Sequence, residues 1–410
     1  MSNQHIIASP DRRQPRSGRA GLLDSVLQKL IGGMACGQLV IETPGGSRLS
    51  FSGSRPGPEA RIKIHSWRLL PRFMSGSDIA VAESYMAGEW SSPDLAAFLT
   101  LGGLNSNLET PRKILRRPAF PLKLRHALNR NTRRGSRRNI AAHYDLGNAF
   151  YRPWLDAGMN YSAGIFTDAT QSLEAAQHAK IDRVCELLSL QGGENVLEIG
   201  CGWGAVAERL MRKHSARVTG ITLSSEQLGY ARERLATEIA SGRGDLRLQD
   251  YRDVQGIFDR IVSIEMLEAV GEAYWPVYFK KIYDSLRPGG IAVLQVITIN
   301  EKRFDGYRRR PDFIQKYIFP GGMLPTAGII AREAAAAGLQ LTGQEFFGDG
   351  YARTVEHWAH RFQQAWPELK QLGFDERFKR MWEYYLAYCQ AGFETGAVDV
   401  GLYRIMKPVR

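Results

Sequence analysis

The chain has 410 residues, of which 44% are hydrophobic and 23% charged, as expected for two or three globular domains with a sizeable core. No apolar run approaches ~18 residues, which excludes a transmembrane helix, and the N-terminal region lacks the apolar segment of a secretory signal. The four cysteines are widely spaced and form no CxxC pair, so we expect neither a metal site nor a disulfide framework, and a cytoplasmic location is the default.

The N-terminal region divides into a tail and a small domain. We expect residues 1–21 to form a disordered tail and residues 22–105 to form a small α+β domain. Two strand-like runs, 37–46 and 47–53, predict a β-hairpin around the turn Pro44–Gly46. Helical patterns follow at 78–90 and 92–104, and Ser92 or Pro93 suits the start of the second helix. No catalytic chemistry is evident in this domain.

A basic linker is predicted over residues 106–138. The net charge of +12 indicates a polyanionic partner, and the stretch 112–138 is rich in Arg and Lys without any Asp or Glu. A second basic cluster, 302–310, lies beside aromatic residues. Both segments are expected to face phospholipid headgroups, which predicts a peripheral protein at the inner face of the membrane. The alternative is that both are ordinary solvated surface.

Residues 139–410 alternate strands and helices, which predicts an α/β domain with a doubly wound, parallel sheet and a ligand at the carboxyl ends of its strands. The predicted strands are Glu194–Ile199, Ala216–Thr222, Asp245–Leu248, Arg260–Ile264 and Ile291–Ile297. The predicted helices between them are Val206–Lys213, Ser225–Ile239 and Ala273–Leu286.

The strongest motif is VLEIGCGWG, residues 196–204. A strand ends near Glu198 and enters a turn with Gly200, Gly202 and Gly204, where the absence of a Cβ lets the backbone approach a ligand. The motif resembles the first motif of class I S-adenosylmethionine (SAM) methyltransferases, rather than the GxGxxG spacing of dinucleotide-binding folds. The alternative is a glycine turn of an unrelated α/β protein.

Polar residues follow the next two strands in the order that a SAM site requires. Thr222, Ser224 and Gln227 are the candidates for contacts near the second strand end. After the third strand, Asp250 could accept a hydrogen bond from the adenine amino group and Tyr251 could stack on the ring. A loop tyrosine can equally serve as ordinary packing.

Several ordered segments together resemble the cyclopropane-fatty-acyl-phospholipid synthase family, which includes the mycolic acid cyclopropane synthases. The similarity spans about residues 140–395 and rests on the glycine motif and on the segments Ala141–Asp156, Met159–Phe166, Gly220–Gln227, Leu248–Asp253, Asp259–Gly271, Lys316–Pro325 and Arg377–Phe393. The resemblance implies a class I methyltransferase sheet under a helical cap with an acyl tunnel. It also implies that the small N-terminal domain, which shares the segments 57–60 and 82–90, serves membrane docking or dimerisation.

The implied reaction is methyl transfer from SAM to a cis double bond of an unsaturated phospholipid acyl chain. The implied cofactor-binding residues, combined with the motif reading above, are Tyr161, Ser162, Glu198, Gly200, Gly202, Gly204, Thr222, Leu223, Gln227, Asp250, Tyr251 and Ile264. In the family the base is a bound bicarbonate, held by a Cys, a Glu, a His, a backbone group and a Tyr.

Three of those five bicarbonate positions match here and two do not. The Glu matches Glu268, the backbone position Ile297 and the Tyr Tyr351, whereas Ala163 stands at the Cys position and Gln295 at the His position. Neutral Gln donates a hydrogen bond but cannot become cationic. Bicarbonate is therefore expected to bind more weakly, or Glu268 to act more directly. Methylene or methyl-branched products, formed with a partner reductase, become an alternative to ring closure.

Other interpretations of the same residues stay open. Glu268 could be a structural carboxylate, Glu265 could be the functional one instead, and Tyr351 could be an ordinary buried tyrosine. The enzyme could act on a small molecule or a nucleic acid, although no NPPY-like tetrapeptide or PCxxC thiol accompanies the motifs, so we expect no nucleic-acid partner. A non-catalytic SAM- or lipid-binding homologue is the third class. A homodimer is a further expectation.

Overall fold

The computed structural model describes residues 24–28, 31, 33–75, 77–105, 135 and 146–409. The predicted tail (1–21) and the basic linker (106–138, except Gly135) lie outside the described residues. The described parts form a small N-terminal domain, a seven-stranded α/β domain and a helical cap.

The small domain is a four-stranded sheet in the order β2-β1-β3-β4 with three short helices. Strands β1 and β2 pair antiparallel through a turn in which Gly46 has a φ of 80°, which confirms the predicted hairpin. Its elements are β1 (Cys36–Glu42), β2 (Arg48–Ser52), β3 (Arg55–Ile64), α1 (Leu70–Met74), α2 (Asp78–Met86), β4 (Trp90–Ser91) and α3 (Leu95–Leu104).

Helix α3 begins later than the sequence analysis predicted. Its N-cap is Asp94, whose carboxylate accepts a hydrogen bond from the amide of Ala97 at 2.8 Å, so neither Ser92 nor Pro93 starts the helix. A carboxylate at this position satisfies an otherwise unpaired amide of the first turn. The Ser92 hydroxyl instead donates to the carbonyl of Arg61 in β3 at 2.7 Å.

The α/β domain is a seven-stranded sheet in the order β10-β11-β9-β8-β5-β6-β7. The strands are β5 (Asn195–Ile199), β6 (Arg217–Thr222), β7 (Gly244–Leu248), β8 (Phe258–Ile264), β9 (Leu286–Ile299), β10 (Gln340–Phe346) and β11 (Val398–Met406). The helices of this domain and its cap are α4 (Asn148–Tyr151), α5 (Leu173–Leu188), α6 (Ala205–His214), α7 (Ser225–Arg234), α8 (Ala236–Ala240), α9 (Leu267–Val270), α10 (Trp275–Ser285), α11 (Glu301–Arg309), α12 (Phe313–Tyr317), α13 (Ala327–Ala336), α14 (Gly348–Gln371) and α15 (Glu376–Glu394).

The doubly wound α/β architecture is confirmed, but the expectation of a parallel sheet is wrong at one edge. Strand β11 lies between β9 and β10 and runs antiparallel to both. The sequence analysis assigned neither β10 nor β11. Strand β10 is an edge strand with mostly exposed residues, so it lacks the apolar run by which buried parallel strands are recognised.

The five predicted strands are all present, with ends that differ by two residues or fewer except in β9. That strand begins at Leu286, where the sequence analysis had ended the preceding helix, and it extends to Ile299. The single helix predicted over Ser225–Ile239 is divided into α7 and α8 at Leu235. Within the described part of the chain, every helix is too short or too polar to span a bilayer.

One hydrophobic core joins the small domain to the cap formed by α4, α14 and α15. Trp90 is fully buried in it, packs against Phe73, Tyr85 and Phe98 with ring centroids 5.0–6.2 Å away, and donates its indole N–H to the Ser84 hydroxyl at 2.8 Å. Large aromatic side chains contribute most to such a core because each removes a large apolar area from water.

We expect W90A to lower the free energy of unfolding by about 3–5 kcal/mol, because it removes a large buried ring and leaves a cavity. Chemical denaturation followed by far-UV circular dichroism measures this change. V277A, at a half-exposed position of α10, is the control and should shift stability by less than about 0.5 kcal/mol. Equal stabilities for W90A and V277A would contradict the shared core.

Candidate active site

The glycine turn after β5 forms the floor of a cavity at the carboxyl ends of the strands. Gly200, Gly202 and Gly204 have φ values of 81°, 51° and 87°, which disfavour side chains. A Cβ on Gly200 would lie 2.4 Å from the Met266 side chain. The amides of Gly200 and Cys201 both donate to the carbonyl of Ile221 in β6 at 2.9 Å, which fixes the turn against the neighbouring strand.

The cavity collects residues from the ends of β5, β6 and β8 and from the segment before α5. All predicted cofactor residues line it except Gly204 and Asp250. The lining residues are Met159, Asn160, Tyr161, Ser162, Lys180, Glu198, Ile199, Gly200, Cys201, Gly202, Trp203, Ala205, Val206, Ile221, Thr222, Leu223, Gln227, Gln249, Tyr251, Ile264, Glu265 and Met266.

Gly204 and Asp250 do not line the cavity, but they position neighbouring residues that do. Gly204 is the N-cap of α6, where a Cβ would lie 3.1 Å from the Leu235 side chain, so it permits close packing of α6 on α7 and α8. Asp250 is buried and its carboxylate pairs with the Arg252 guanidinium at 2.6 Å, which fixes the turn that carries Tyr251. Gln249, which the sequence analysis did not single out, lines the cavity at this point.

The polar groups of the cavity suit a ligand that is itself polar. The Thr222 hydroxyl pairs with the Gln227 carboxamide oxygen at 2.9 Å, while Ser224 serves as the N-cap of α7. The Oε2 of Glu198 and the hydroxyl of Tyr251 are buried and have no hydrogen-bond partner among the described residues. Buried polar atoms normally have partners, so these two are available to the amino and hydroxyl groups of SAM, and the site fits that cofactor.

Lys180, which the sequence analysis missed, is a buried cation at the cavity wall. Its Nζ donates to the Ser162 hydroxyl at 2.8 Å, and burial lowers its pKa to about 8 despite nearby carboxylates, among them Glu265 and Glu198. Burial raises the pKa of Glu198 to about 8. The sequence feature that could have identified this buried lysine is its place on the apolar face of α5, one helical turn from both Ala176 and Val184.

Two half-buried carboxylates follow β8, Glu265 in the lining of the cofactor cavity and Glu268 outside that lining. Three of the predicted catalytic positions converge on Glu265. Glu265 Oε1 accepts hydrogen bonds from the Ala163 amide and the Gln295 carboxamide, both at 2.8 Å. Its Oε2 accepts a hydrogen bond from the Tyr351 hydroxyl at 2.6 Å. Tyr351 is therefore buried but is not only a packing residue.

The second carboxylate, Glu268, is itself a predicted catalytic residue, and it is hydrogen-bonded to Ile297, the last of the five predicted positions. Its Oε1 accepts a hydrogen bond from the Ile297 amide at 2.5 Å, whereas Oε2 is buried without a partner among the described residues. Burial, assisted by the negative charge of Glu265, raises the pKa of Glu268 to about 8. The five predicted catalytic positions thus come together, but they are divided between two carboxylates of the protein itself.

Aromatic rings surround this region. Tyr351 stacks on Phe393 with centroids 4.4 Å apart, and its edge faces Trp358 at 6.1 Å. The Tyr161 and Tyr385 hydroxyls hydrogen-bond to each other at 2.8 Å. Aromatic faces attract cations in a dry site, so the cap provides a setting for chemistry that passes through positive charge.

The glycine turn, the cavity at the strand ends and the strand order define a class I SAM-dependent methyltransferase. A solved structure of the mycolic acid cyclopropane synthase CmaA1, complexed with SAH and CTAB, is similar to this chain with a TM-score of 0.62 and 30% identity, and the match covers 66% of this chain and 98% of that one.

Residues 131–402 match the family model described as mycolic acid cyclopropane synthetase, and the chain belongs to this family. It is 42% identical to tuberculostearic acid methyltransferase UfaA1 of Mycobacterium tuberculosis over 80% of this chain and 79% of that protein. It is 35% identical to cyclopropane-fatty-acyl-phospholipid synthase of Escherichia coli K12 over 87% and 89%. The protein is a SAM-dependent methyltransferase that modifies lipid acyl chains.

We expect G200A to weaken SAM binding at least about tenfold, or ~1.4 kcal/mol, because its Cβ would displace Met266 from the cavity wall. Calorimetric titration with SAM measures this. G229A is the matched control, since Gly229 is exposed on α7 and a Cβ there would meet no neighbouring group within 4 Å. It should bind SAM normally and gain about 0.5–1 kcal/mol in stability. Equal affinities for the two variants would contradict the role of Gly200.

We expect E268Q to flatten the dependence of stability on pH. The pKa of Glu268 is raised from 4.5 to about 8 in the folded state, so its contribution to stability is fully present below pH 4.5 and is lost as pH rises through 8. The wild type should therefore lose up to about 1.4 kcal/mol per pH unit relative to E268Q between pH 5.5 and 7.5. Urea unfolding at several pH values measures this difference. E233Q, at an exposed carboxylate of α7, should follow the wild type, and parallel curves for E268Q and wild type would refute the prediction.

Proposed function

We propose that this methyltransferase transfers the methyl group of SAM to the cis double bond of unsaturated phospholipid acyl chains, giving cyclopropane or methyl-branched chains. The observation that carries the proposal is the position of Glu265. It lines the cofactor cavity and also accepts a hydrogen bond from Tyr351, inside the aromatic cap. A carboxylate at that junction adjoins both the methyl donor and an apolar substrate.

SAM supplies an electrophilic methyl group on its sulfonium. The glycine turn, with Thr222 and Gln227, holds the cofactor at the strand ends. The cap must place the alkene in line with the methyl group and exclude water, since an alkene is a weak nucleophile and its methylation leaves a carbocation. The faces of Tyr351 and Phe393 stabilise that charge.

The names of the relatives support both product classes. One is a tuberculostearic acid methyltransferase and the other a cyclopropane-fatty-acyl-phospholipid synthase. Loss of a proton from the new methyl group closes a cyclopropane ring, whereas a hydride shift followed by proton loss leaves a methylene branch. A saturated methyl branch then requires a partner reductase. A polar small-molecule or nucleic-acid substrate is less well supported, because the cap is dominated by buried aromatic and aliphatic side chains.

The basic cluster on α11 supports substrate pickup at a membrane surface. Lys302, Arg309 and Arg310 are exposed, and α11 directly follows the carboxyl end of β9, the edge of the sheet at which the cofactor cavity lies. Each cation near an anionic bilayer contributes about 1 kcal/mol of attraction. Since an acyl chain must leave the bilayer to reach the cap, docking on this edge shortens its path.

The test of the proposed reaction is mass spectrometry of fatty acids after incubation with methyl-labelled SAM and vesicles of oleoyl phospholipid. We expect labelled chains that are heavier by one CH2, and fragmentation distinguishes a ring from a methylene branch. Free oleate and oleoyl thioester presented in parallel identify the form of the substrate. Label in none of the three substrates, from a protein that binds SAM, would refute the proposal.

We expect the triple variant K302E/R309E/R310E to lose binding to vesicles that contain anionic phospholipid by at least about tenfold, since each reversal turns attraction into repulsion. Vesicle co-sedimentation at low and physiological salt measures this. K213E/R217E/R287E, which changes the charge equally at the amino-terminal edge of the sheet, is the control and should bind like the wild type. Equal binding of both triple variants would refute docking through α11.

A further inference from the structure

We propose that the Glu265 carboxylate is a built-in base that occupies the place of the bicarbonate implied by the family resemblance, so that this enzyme works without bicarbonate. The inference rests on the proposed function and deepens it, because it names the group that removes the proton after methyl transfer. The sequence analysis selected Glu268 as the catalytic carboxylate and named Glu265 only as the alternative to it.

The geometry of Glu265 is that of an anion held in a cage. Three donors surround its two oxygens: the Ala163 amide at 2.8 Å, the Gln295 carboxamide at 2.8 Å and the Tyr351 hydroxyl at 2.6 Å. These residues stand at three of the five positions that the resemblance assigned to bicarbonate binding. In this protein the three groups therefore donate to a carboxylate of the chain itself rather than to a bound bicarbonate.

The same geometry does not fit an additional bicarbonate. Ala163 offers no thiol, and the Gln295 amino group already donates to Glu265, while its Oε1 can only accept. The Ile297 amide is engaged by Glu268. A second anion would lie beside the existing carboxylate, and like charges at such short range repel strongly. Among the described residues the nearby cation, Lys180, already donates to Ser162 and interacts with Glu265.

The backbone at Glu265 supports a functional rather than a structural role. Its φ of 51° lies in the left-handed region, which non-glycine residues seldom occupy because it costs about 1–2 kcal/mol. Its amide donates to the carbonyl of Gln295 at 2.8 Å, so β9 holds it in this conformation. Strain of this kind persists where the position of a side chain matters for function.

The two carboxylates differ in how many hydrogen-bond donors stabilise their ionised forms. Burial raises the pKa of Glu265, whereas its three donors oppose that shift and favour the ionised form. Glu268 has one amide donor, and burial beside Glu265 raises its pKa to about 8, so it is protonated at neutral pH. Glu265, with three donors against one, is the carboxylate that is better able to hold a negative charge, and it lines the cofactor cavity.

The proposed step is balanced without a further reactant. The alkene π electrons form the new C–C bond to the transferred methyl group as the C–S bond of the sulfonium breaks. A C–H bond of the new methyl group then breaks and its proton moves to a Glu265 oxygen. The electron pair of that bond closes the cyclopropane ring on the cationic carbon or, after a hydride shift to that carbon, forms the C=C bond of a methylene branch. Solvent takes that proton up after product release.

The test compares E265Q and E265G with the wild type in buffer depleted of CO2. The wild type should show the same turnover with and without added bicarbonate. E265Q keeps the shape of the side chain but cannot take up a proton, so its turnover should fall at least about 100-fold with SAM affinity within about twofold of wild type. E233Q, an exposed carboxylate on α7, is the matched control and should keep full turnover.

E265G opens the cage without backbone strain, because glycine accepts a φ of 51°. Its turnover should be low and should recover on addition of bicarbonate or formate, whereas E265Q should not recover because its amide still fills the space. Line broadening of 13C-labelled bicarbonate in NMR spectra provides a readout without turnover: E265G should bind it and the wild type should not.

Stimulation of the wild type by bicarbonate, full turnover of E265Q, or an E265G protein that binds SAM but neither binds nor responds to small carboxylates would each overturn the inference. Failure of the proposed function is distinguishable. In that case the wild type labels no acyl chain, while the NMR comparison of E265G with wild type still reports whether the Glu265 carboxylate occupies an anion site.

Discussion

The hydrogen bonds to the Glu265 carboxylate connect the parts of the molecule that must meet for catalysis. Glu265 follows β8, Gln295 lies in β9, Ala163 precedes α5 and Tyr351 lies in the first turn of α14. This one carboxylate therefore connects the helical cap and the loop before α5 to the centre of the sheet. A buried carboxylate is tolerated only when it is well hydrogen-bonded, so the three contacts must form together.

The charges around this group set the character of the site. Lys180 is a buried cation whose charge favours the ionised forms of both Glu198 and Glu265. Burial lowers the pKa of Lys180 itself to about 8. The raised pKa of Glu268 removes a second negative charge at neutral pH. The charges of Lys180 and of the carboxylates therefore partly offset one another, and aromatic rings near them can stabilise a cationic intermediate.

The sequence alone predicted the parts whose signal is local. The glycine turn, the strands β5 to β9 and the residues at the strand ends depend on short motifs and local patterns, and residues of the turn and the strand ends line one cavity as expected. Strand β11 was missed because its partners are distant in the chain and β10 is largely polar. The role of Glu265 was open for a related reason: whether it or Glu268 receives the donors depends on a left-handed backbone at residue 265, which no neighbouring residue indicates.

The small N-terminal domain contacts elements that carry the active site, although none of its described residues lines the cavity. Its Glu83 accepts hydrogen bonds from Lys316 and Tyr317 in α12, and the chain that leaves α12 returns so that the Met323 amide donates to the Glu268 carbonyl at 2.8 Å. Its Thr100 hydroxyl donates to Glu394 in α15 at 2.6 Å, next to the ring that stacks on Tyr351. Both contacts therefore lie close in the chain to residues that touch the active site, namely Met323 at the Glu268 backbone and Phe393 at the Tyr351 ring. The domain and the cap also share one hydrophobic core, so undocking the small domain would expose apolar side chains of the cap to water, and this cost favours the docked arrangement.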